Sequence, residues 1–204
     1  MPSRHFSRLK KSCDDLKFEF LNFSSRIDGS YTKSELKMCR AYIAFAHAEF
    51  EHYLEEIAVH ALDKGLRNWV SNQRISKSIA ALFIYRHSSE IVIPENPNEL
   101  SIRNQINEIT HRVVATQKRE IRKNHGIKRN NFGQLFIPLG LDITIVPEPL
   151  LIQLDGLGKR RGDLVHTTES LSLARIRDPF SDEASDVNQL LGELQGVDHI
   201  LSKL

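Results

Sequence analysis

The sequence places one arginine on what is otherwise the apolar side of a helix. After Pro147 and Pro149, which suit the first turn of a helix, leucines recur at spacings of three and four residues. Arg161 takes one position of this stripe, which consists of Leu150, Leu154, Leu157, Arg161 and Leu164. A guanidinium is permanently charged, and leaving a charge buried without its partner costs about 3–5 kcal/mol. We therefore expect an anion beside Arg161, and the alternative is an arginine that snorkels to solvent or pairs with a structural carboxylate.

His166 follows Arg161 by five positions, and histidine is the side chain that most readily exchanges protons near neutral pH. On an ideal helix the two side chains lie roughly 140° apart, so one straight helix cannot bring both to a small ligand. They converge if the helix frays near Thr167 and Thr168, or if two copies face each other across a dimer axis. Asp163 is within reach to orient the imidazole, although Asp–His pairs of this spacing are also common without a function.

Two Glu-x-x-His pairs raise the alternative of a metal site between helices. Glu49 with His52 and Glu108 with His111 have the spacing found in di-iron carboxylate bundles. A metal in a bundle core would be surrounded by the apolar stripes of the helices. Both histidines, however, lie about 200° around their helices from an apolar stripe residue, so they point away from such a core. The sequence also has no glycine-rich phosphate loop, nucleophile elbow or cysteine cluster. We expect neither a metal nor a cofactor.

Positive charge is concentrated in two places, although the net charge of the chain is only +2. Residues 118–129 hold six Lys or Arg residues and one acidic residue, and two further cations directly precede Arg161. The candidate RNA-binding residues are Lys118, Arg119, Arg122, Lys123, Lys128, Arg129, Lys159 and Arg160. Such clusters attract phosphates, but a solvated basic helix end that complements the helix dipole is the alternative. Because no aromatic residues are interleaved, base stacking is not predicted here.

The composition is typical of a folded globular chain. Of the 204 residues, 40% are hydrophobic and 26% charged, which is too apolar and too mixed for intrinsic disorder. The length favours a single domain over residues 1–204. No apolar stretch approaches the length of a membrane span, so we expect a cytoplasmic protein without membrane contact. Cys13 and Cys39 occupy apolar positions of helical patterns and are expected to be buried, reduced thiols.

Apolar stripes predict that the chain is all-α. A first stripe covers residues 9–23. Thr32 and Glu35 then form a capping-box pair, which starts a long amphipathic helix that reaches about Gly65. The stripe of this helix consists of Leu36, Ile43, His47, Phe50, Leu54, Ile57 and Ala61. Its histidine is expected to be a hydrogen-bonded core residue, and Glu51 lies on the flank of the stripe.

The remaining segments give shorter patterns. Helices are predicted over residues 76–87, 102–113 and 182–204, the last with a heptad-like stripe. The segment 91–100 contains two prolines and is predicted to be a loop. The pair Asn130–Asn131 is interpreted as a turn or cap before the run FGQLFIPLGL. The sequence SLSLARI is a weak candidate for a strand.

Three segments, in this order, resemble the HEPN superfamily, and in particular the RiboL-PSP-like group of prokaryotic HEPN ribonucleases. AYIAFAHAEFEHYLEEIA is similar to the second-helix motif of that group, and KRNNFGQLFIPLGLD to the short segment before its signature helix. LIQLDGLGKRRGDLVHT resembles the signature R-x4-6-H, an arginine and a histidine near the end of a helix. The resemblance covers about residues 32–170.

The resemblance implies an all-α, HEPN-type helical bundle with additional flanking helices, and a catalytic site made by Arg161 and His166. Glu51 matches a residue of the second long helix that supports the site in the family. The implied activity is that of a metal-independent endoribonuclease from a toxin–antitoxin or antiviral defence system, which cleaves RNA by 2′-hydroxyl attack at a dimer interface. Family members often have a polar residue, commonly Asn, directly after the arginine, where this chain has Gly162.

Two other functions are compatible with the sequence. The departure at Gly162 favours a HEPN fold that holds RNA or a nucleotide without cutting it. The final helix, residues 182–204, favours a module that recruits a protein partner. We expect RNA and a second copy of this chain as partners, together with a possible neutralising or regulatory protein.

Overall fold

The computed structural model describes residues 1–86, 98–165, 168 and 173–204, and in these ranges the ordered elements are helical. The α-helices are α1 (Arg4–Phe20), α2 (Lys33–Asn72), α3 (Lys77–Tyr85), α4 (Glu99–Ile121), α5 (Arg129–Phe136), α6 (Glu148–Val165) and α7 (Ser185–Leu201). Short 3-10 turns cover Ile137–Leu139 and Ile143–Ile145, and a π-helical segment, Pro179–Ala184, precedes α7. None of the described residues forms a strand, so the all-α prediction is confirmed. The strand suggested at SLSLARI is wrong at Leu173 and Ala174, which are helical, while residues 170–172 lie outside the described part.

The chain divides into two compact units. Unit 1 comprises Met1–Leu54, His125–Phe132 and Thr144–His199, and unit 2 comprises Glu55–Asn124, Gly133–Ile143 and Ile200–Leu204. Helix α2 supplies residues to both units. The expectation of a single domain stays a prediction.

In unit 1 a buried carboxylate fixes the start of α1. Asp198, on α7, is 1% exposed and accepts hydrogen bonds from the backbone N and the Oγ of Ser3, both at 2.6 Å. It also accepts a hydrogen bond from the hydroxyl of Tyr53, on α2, at 2.8 Å. Ser3 in turn caps α1 by accepting from the amide of Phe6 at 3.0 Å. A buried acid with several donors is stabilised in its place, so these bonds tie α1, α2 and α7 together.

Both cysteines are free, buried thiols of unit 1. Burial in apolar surroundings raises the pKa of Cys13 and that of Cys39 to about 12. Neither thiol therefore has a useful thiolate fraction at neutral pH, and both act as small apolar side chains of the core.

Helix α2 begins where the capping box places it. The backbone N of Thr32 donates to Oε2 of Glu35 at 2.7 Å, and the backbone N of Glu35 donates to Oγ1 of Thr32 at 3.2 Å. The predicted stripe from Ile43 to Ala61 is buried. The predicted end near Gly65 is wrong, because the helix continues to Asn72.

Gly65 serves packing and not termination. A Cβ at this position would lie 2.7 Å from Oγ of Ser76 and 2.9 Å from Cγ1 of Ile79. Within unit 2 the start of α3 thus approaches α2 so closely that only a glycine fits at the contact. Ser76 is the N-cap of α3, accepting from the backbone N of Ile79.

Unit 2 also contains α4, whose apolar stripe is buried only in its second half. Ile109 and Val113 are buried, whereas Ile102 is 43% exposed. The single tryptophan of the chain, Trp69, is buried at the end of α2. Lys118 of α4 lies 2.5 Å from a carboxylate oxygen of Asp63, on α2.

Helix α5 corrects the interpretation of Asn130–Asn131. Both residues lie within α5, which begins at Arg129. The backbone N of Arg129 instead donates to Oδ1 of Asp155, on α6, at 2.8 Å. The cap comes from a residue 26 positions further along the chain, so local sequence could not reveal it. In the described ranges, no helix combines the length and the apolar character needed to cross a bilayer.

Candidate functional site

Helix α6 carries Arg161 at the border of the unit 1 core. The four leucines of the predicted stripe, at positions 150, 154, 157 and 164, are all buried. Arg161 occupies the stripe position between the last two and is half-buried. Within the described residues it has no carboxylate or hydrogen-bond partner. The part of the chain that the structure describes therefore supplies no structural anion for this guanidinium.

His47, on α2, lies close enough to Arg161 to respond to its charge. This imidazole is 4% exposed. Burial, followed by the positive charges of Arg161 and Lys128, lowers the pKa of His47 from 6.5 to about 4. His47 is consequently neutral at pH 7, so it can accept a hydrogen bond or orient a neighbour but does not contribute charge.

Glu51 lies one helical turn beyond His47 on the same face of α2. Its Oε2 atom is 3.8 Å from Nδ1 of His47, which is too long for a direct hydrogen bond. Glu51 is half-buried. Glu51 thus lies beside His47, whose pKa the charge of Arg161 lowers. The role of Glu51 in supporting the site stays a prediction.

Lys128 reaches this neighbourhood from the segment before α5. A Cβ on Gly158 of α6 would lie 2.8 Å from Cγ of Lys128, so the aliphatic part of the lysine passes directly over that glycine. Gly158 is buried while Lys128 as a whole is exposed. The lysine therefore packs its aliphatic stem against α6 while the residue remains exposed.

Arg160, in contrast, belongs to an ion-pair network. Its Nη2 atom bonds to Oε1 of Glu183, a carboxylate that is only 3% exposed. Arg177 donates to Oε2 of Glu183 at 3.0 Å and to Oδ2 of Asp186 at 2.5 Å. Burial, followed by the charge of Arg177, lowers the pKa of Arg160. Arg160 thus ties α6 to the segment before α7, and its role on an RNA-binding surface stays a prediction.

Asp163 faces a pocket of about 450 Å³ beside this network. The pocket is lined by Ile152, Gln153, Gly156, Leu157, Lys159, Arg160, Asp163, Arg177, Glu183 and Asp186. Its charged lining is balanced between acids and bases, so it has no strong preference for an anion. Ile152, one of the lining residues on α6, is 58% exposed.

The other predicted RNA-binding residues differ in their solvent exposure and in whether they have a carboxylate partner. Lys118 and Lys123 have carboxylate partners, Asp63 and Glu120. Arg129 is paired with Glu148. The exposed cations of the set are Arg119, Arg122, Lys123, Lys128 and Lys159. Lys118, Arg119, Arg122 and Lys123 belong to unit 2, and the other four residues to unit 1.

His166 lies outside the described residues, so its relation to Arg161 and Asp163 stays a prediction.

The two Glu-x-x-His pairs that could form a metal site between helices are largely exposed. Three of their members are exposed, namely His52, Glu108 and His111. In the described part of the chain, no three His, Cys, Asp or Glu side chains are grouped as metal ligands would be.

Sequence reasoning did not predict that His47 is electrostatically linked to Arg161, nor that Glu183 holds Arg160. The first had a signal, because His47 lies four residues before Glu51 on the same helix face. The second had none, because Glu183 lies in a π-helical segment that no periodicity indicated.

Comparison with known proteins agrees with the motif-bearing helices. The model of the family RiboL-PSP-HEPN matches residues 7–191. No curated protein and no solved structure gives a significant match. The match covers most of the chain, including α2, α5 and α6, on which the three similar segments lie. The chain therefore belongs to the RiboL-PSP-HEPN family, a group of RNA-related, nuclease-type modules.

Proposed function

We propose that this protein is a metal-independent endoribonuclease in which Arg161 and His166 carry out the chemistry. The observation that carries the proposal is the half-buried guanidinium of Arg161, which has no carboxylate partner among the described residues and lies on the signature helix of the family. A phosphate is the anion that would complete this environment.

In the proposed reaction the 2′-oxygen of a ribose attacks the adjacent phosphorus, and the bond from phosphorus to the 5′-oxygen breaks. His166 exchanges protons with these oxygens as general acid and base. Arg161 stabilises the negative charge of the phosphorane-like transition state. Neutral His47 and the carboxylate of Glu51 support the position of Arg161 from α2.

A dimer would place the two residues together. Their five-residue spacing separates them by roughly 140° on one helix, and a second copy of α6 supplies the missing partner. The exposed apolar residue Ile152 on the outer face of α6 suits such a contact. RNA would be attracted by the exposed cations, of which Lys128 and Lys159 lie in the same unit as Arg161. A role in a toxin–antitoxin or defence system in the cytoplasm, with a neutralising partner, completes the proposal.

The test is RNA cleavage in excess chelator by the wild-type chain and by His166→Ala and Arg161→Ala variants. We expect products ending in a 2′,3′-cyclic phosphate, and a loss of about 10²–10⁴-fold in rate for His166→Ala, because general acid–base catalysis is typically of that size. Mixing the two inactive variants should restore part of the activity, because a mixed dimer has one Arg161 facing one His166.

The controls are Arg67→Ala and His111→Ala, which replace exposed residues of the same two types. Both should cleave at the wild-type rate. Cleavage that requires a metal and leaves 3′-hydroxyl ends, or an active His166→Ala protein, would contradict the mechanism.

A non-catalytic RNA-binding module is the second candidate, and Gly162 favours it. A Cβ at this position would meet nothing within 4 Å, so packing does not explain why the chain lacks the polar residue that family members often have here. Wild-type protein that binds RNA in the same assay but leaves it intact would favour this function.

A further inference from the structure

Unit 2 contains a separate pocket of about 280 Å³. Its walls come from the end of α3, from the end of α4 and the nearby Lys123 and Asn124, and from Gln134, Leu135 and Pro138. Of the residues that the sequence suggested for RNA binding, Lys123 is the member that lines it. The two residues that distinguish the pocket chemically, Tyr85 and Arg86, were not predicted to have a function.

Arg86 is held in place by a buried amide. Its Nη2 atom donates to Oε1 of Gln117 at 2.5 Å, and Gln117 is 1% exposed. The Nε atom of Arg86 is also buried and has no hydrogen-bond partner within the ranges described. No carboxylate in those ranges pairs with this half-buried guanidinium. The pocket therefore contains an oriented positive charge for which the described residues supply no anion.

The surroundings of Arg86 are positively charged. Lys123 lies 3.0 Å from Glu120, which is the acidic residue of the pocket. The hydrogen bond from Lys123 lowers the pKa of Glu120, and the charges of Lys123, Arg86 and Arg119 act in the same direction. Among the described residues, one carboxylate thus faces three cations, which leaves a net positive charge for a ligand.

Tyr85 adds an aromatic surface beside this charge. Its ring is 48% exposed, and the guanidinium carbon of Arg86 lies 5.7 Å from the ring centre. An accessible aromatic ring next to a fixed cation is the arrangement on which nucleobases stack in proteins that bind single-stranded nucleic acid. Residues 118–129, which hold the basic cluster, include no aromatic residue, and α3 supplies Tyr85 from an earlier part of the sequence.

We propose that this pocket binds one nucleotide of a single-stranded RNA, with the phosphate on Arg86 and Lys123 and the base stacked on Tyr85. Its volume is just under the range of about 300–1,000 Å³ typical of small-molecule pockets, which suits a single nucleotide. The exposed side chains of Arg119 and Arg122 can contact neighbouring phosphates, and this favours a strand over a free nucleotide. The proposal concerns binding alone and stands whether or not Arg161 and His166 cleave RNA.

The experiment measures binding of a labelled, 2′-O-methylated RNA hexamer by fluorescence anisotropy, since this strand cannot be cleaved through its 2′-oxygen. We expect Arg86→Gln to weaken binding about tenfold or more and to reduce its salt dependence, because one phosphate contact is lost. Tyr85→Ala should weaken binding about fivefold or more through loss of stacking. The side chain of Tyr85 is exposed enough that this second variant is expected to fold normally.

Arg67→Gln and Ile84→Ala are the matched controls, an exposed arginine of unit 2 and the exposed apolar neighbour of Tyr85. Both should bind within twofold of wild type, and thermal melting of every variant verifies its fold. Unchanged binding by a folded Tyr85→Ala and a folded Arg86→Gln protein would overturn the proposal. Adenosine monophosphate that competes as well as an unlabelled hexamer would overturn the assignment to a strand.

Discussion

At the scale of single residues, Arg160 and Arg161 show how neighbouring identical side chains acquire different roles. Arg161 could be identified from the sequence, because it interrupts a leucine stripe, and the structure places it half-buried among those leucines. Arg160 is a candidate RNA-binding cation by sequence, and in the structure it pairs with the buried carboxylate of Glu183. That partner lies 23 positions away, so only the tertiary fold distinguishes the two arginines.

His47 gives a pH prediction at the same scale. Its pKa is about 4 in the folded protein and 6.5 when unperturbed, so the unfolded chain binds a proton at a higher pH than the folded chain. Wild-type stability should therefore fall as the pH decreases from about 6.5 to about 4, by about 3 kcal/mol at most, and His47 adds no pH dependence above that window. His47→Gln should remove this part of the pH dependence.

Urea denaturation at about pH 7 and about pH 4.5 measures the effect in both proteins. His111→Gln, which replaces an exposed histidine, should retain the wild-type difference between the two pH values. Parallel pH curves for wild type and His47→Gln would mean that the histidine is not buried in its neutral form.

At the scale of elements, the start of a helix was easier to predict than its end. The bond pattern of Thr32 and Glu35 is local, and α2 begins where those two residues indicate. Gly65 resembles a terminator in the sequence, but its real function is to admit α3 at close range. The start of α5 was misassigned for a related reason, since its cap is Asp155 of another helix. Contacts between helices determine the end of α2 and the start of α5, and such contacts cannot be predicted from the local pattern of a single sequence.

The packing role of Gly65 predicts opposite outcomes for two identical substitutions. Gly65→Ala should destabilise the protein by about 1–3 kcal/mol, because its Cβ would overlap Ser76 and Ile79. Gly192→Ala, in α7, should stabilise it by about 0.5–1 kcal/mol, since that position is exposed and a Cβ there meets nothing within 4 Å. Thermal or urea denaturation of both variants checks the pair. A neutral or stabilising Gly65→Ala would show that α3 does not press against α2 as described.

At the scale of the whole molecule, the all-α class and the family could be predicted from sequence, because both depend on periodicity and on three motif segments in order. The division into two units could not, because α2 is one uninterrupted helix whose residues belong to both. The pocket at Tyr85 and Arg86 was likewise unpredictable, as it combines residues from α3 and α4 that are more than 30 positions apart, such as Arg86 and Gln117.

The positions of the tryptophan and the two cysteines provide one intrinsic probe of unfolding for each unit, a fluorescent one and a chemical one. Trp69, the single tryptophan, is buried in unit 2, whereas the two thiols, Cys13 and Cys39, are buried in unit 1. Tryptophan emission therefore follows the opening of one unit, and the rate of thiol alkylation follows the opening of the other, without any engineered label. Because α2 contributes to both cores, we expect the two signals to change at the same denaturant concentration, as two-state unfolding requires. Separate midpoints would instead mean that the chain melts in two steps, with half of its longest helix persisting after the other half is lost.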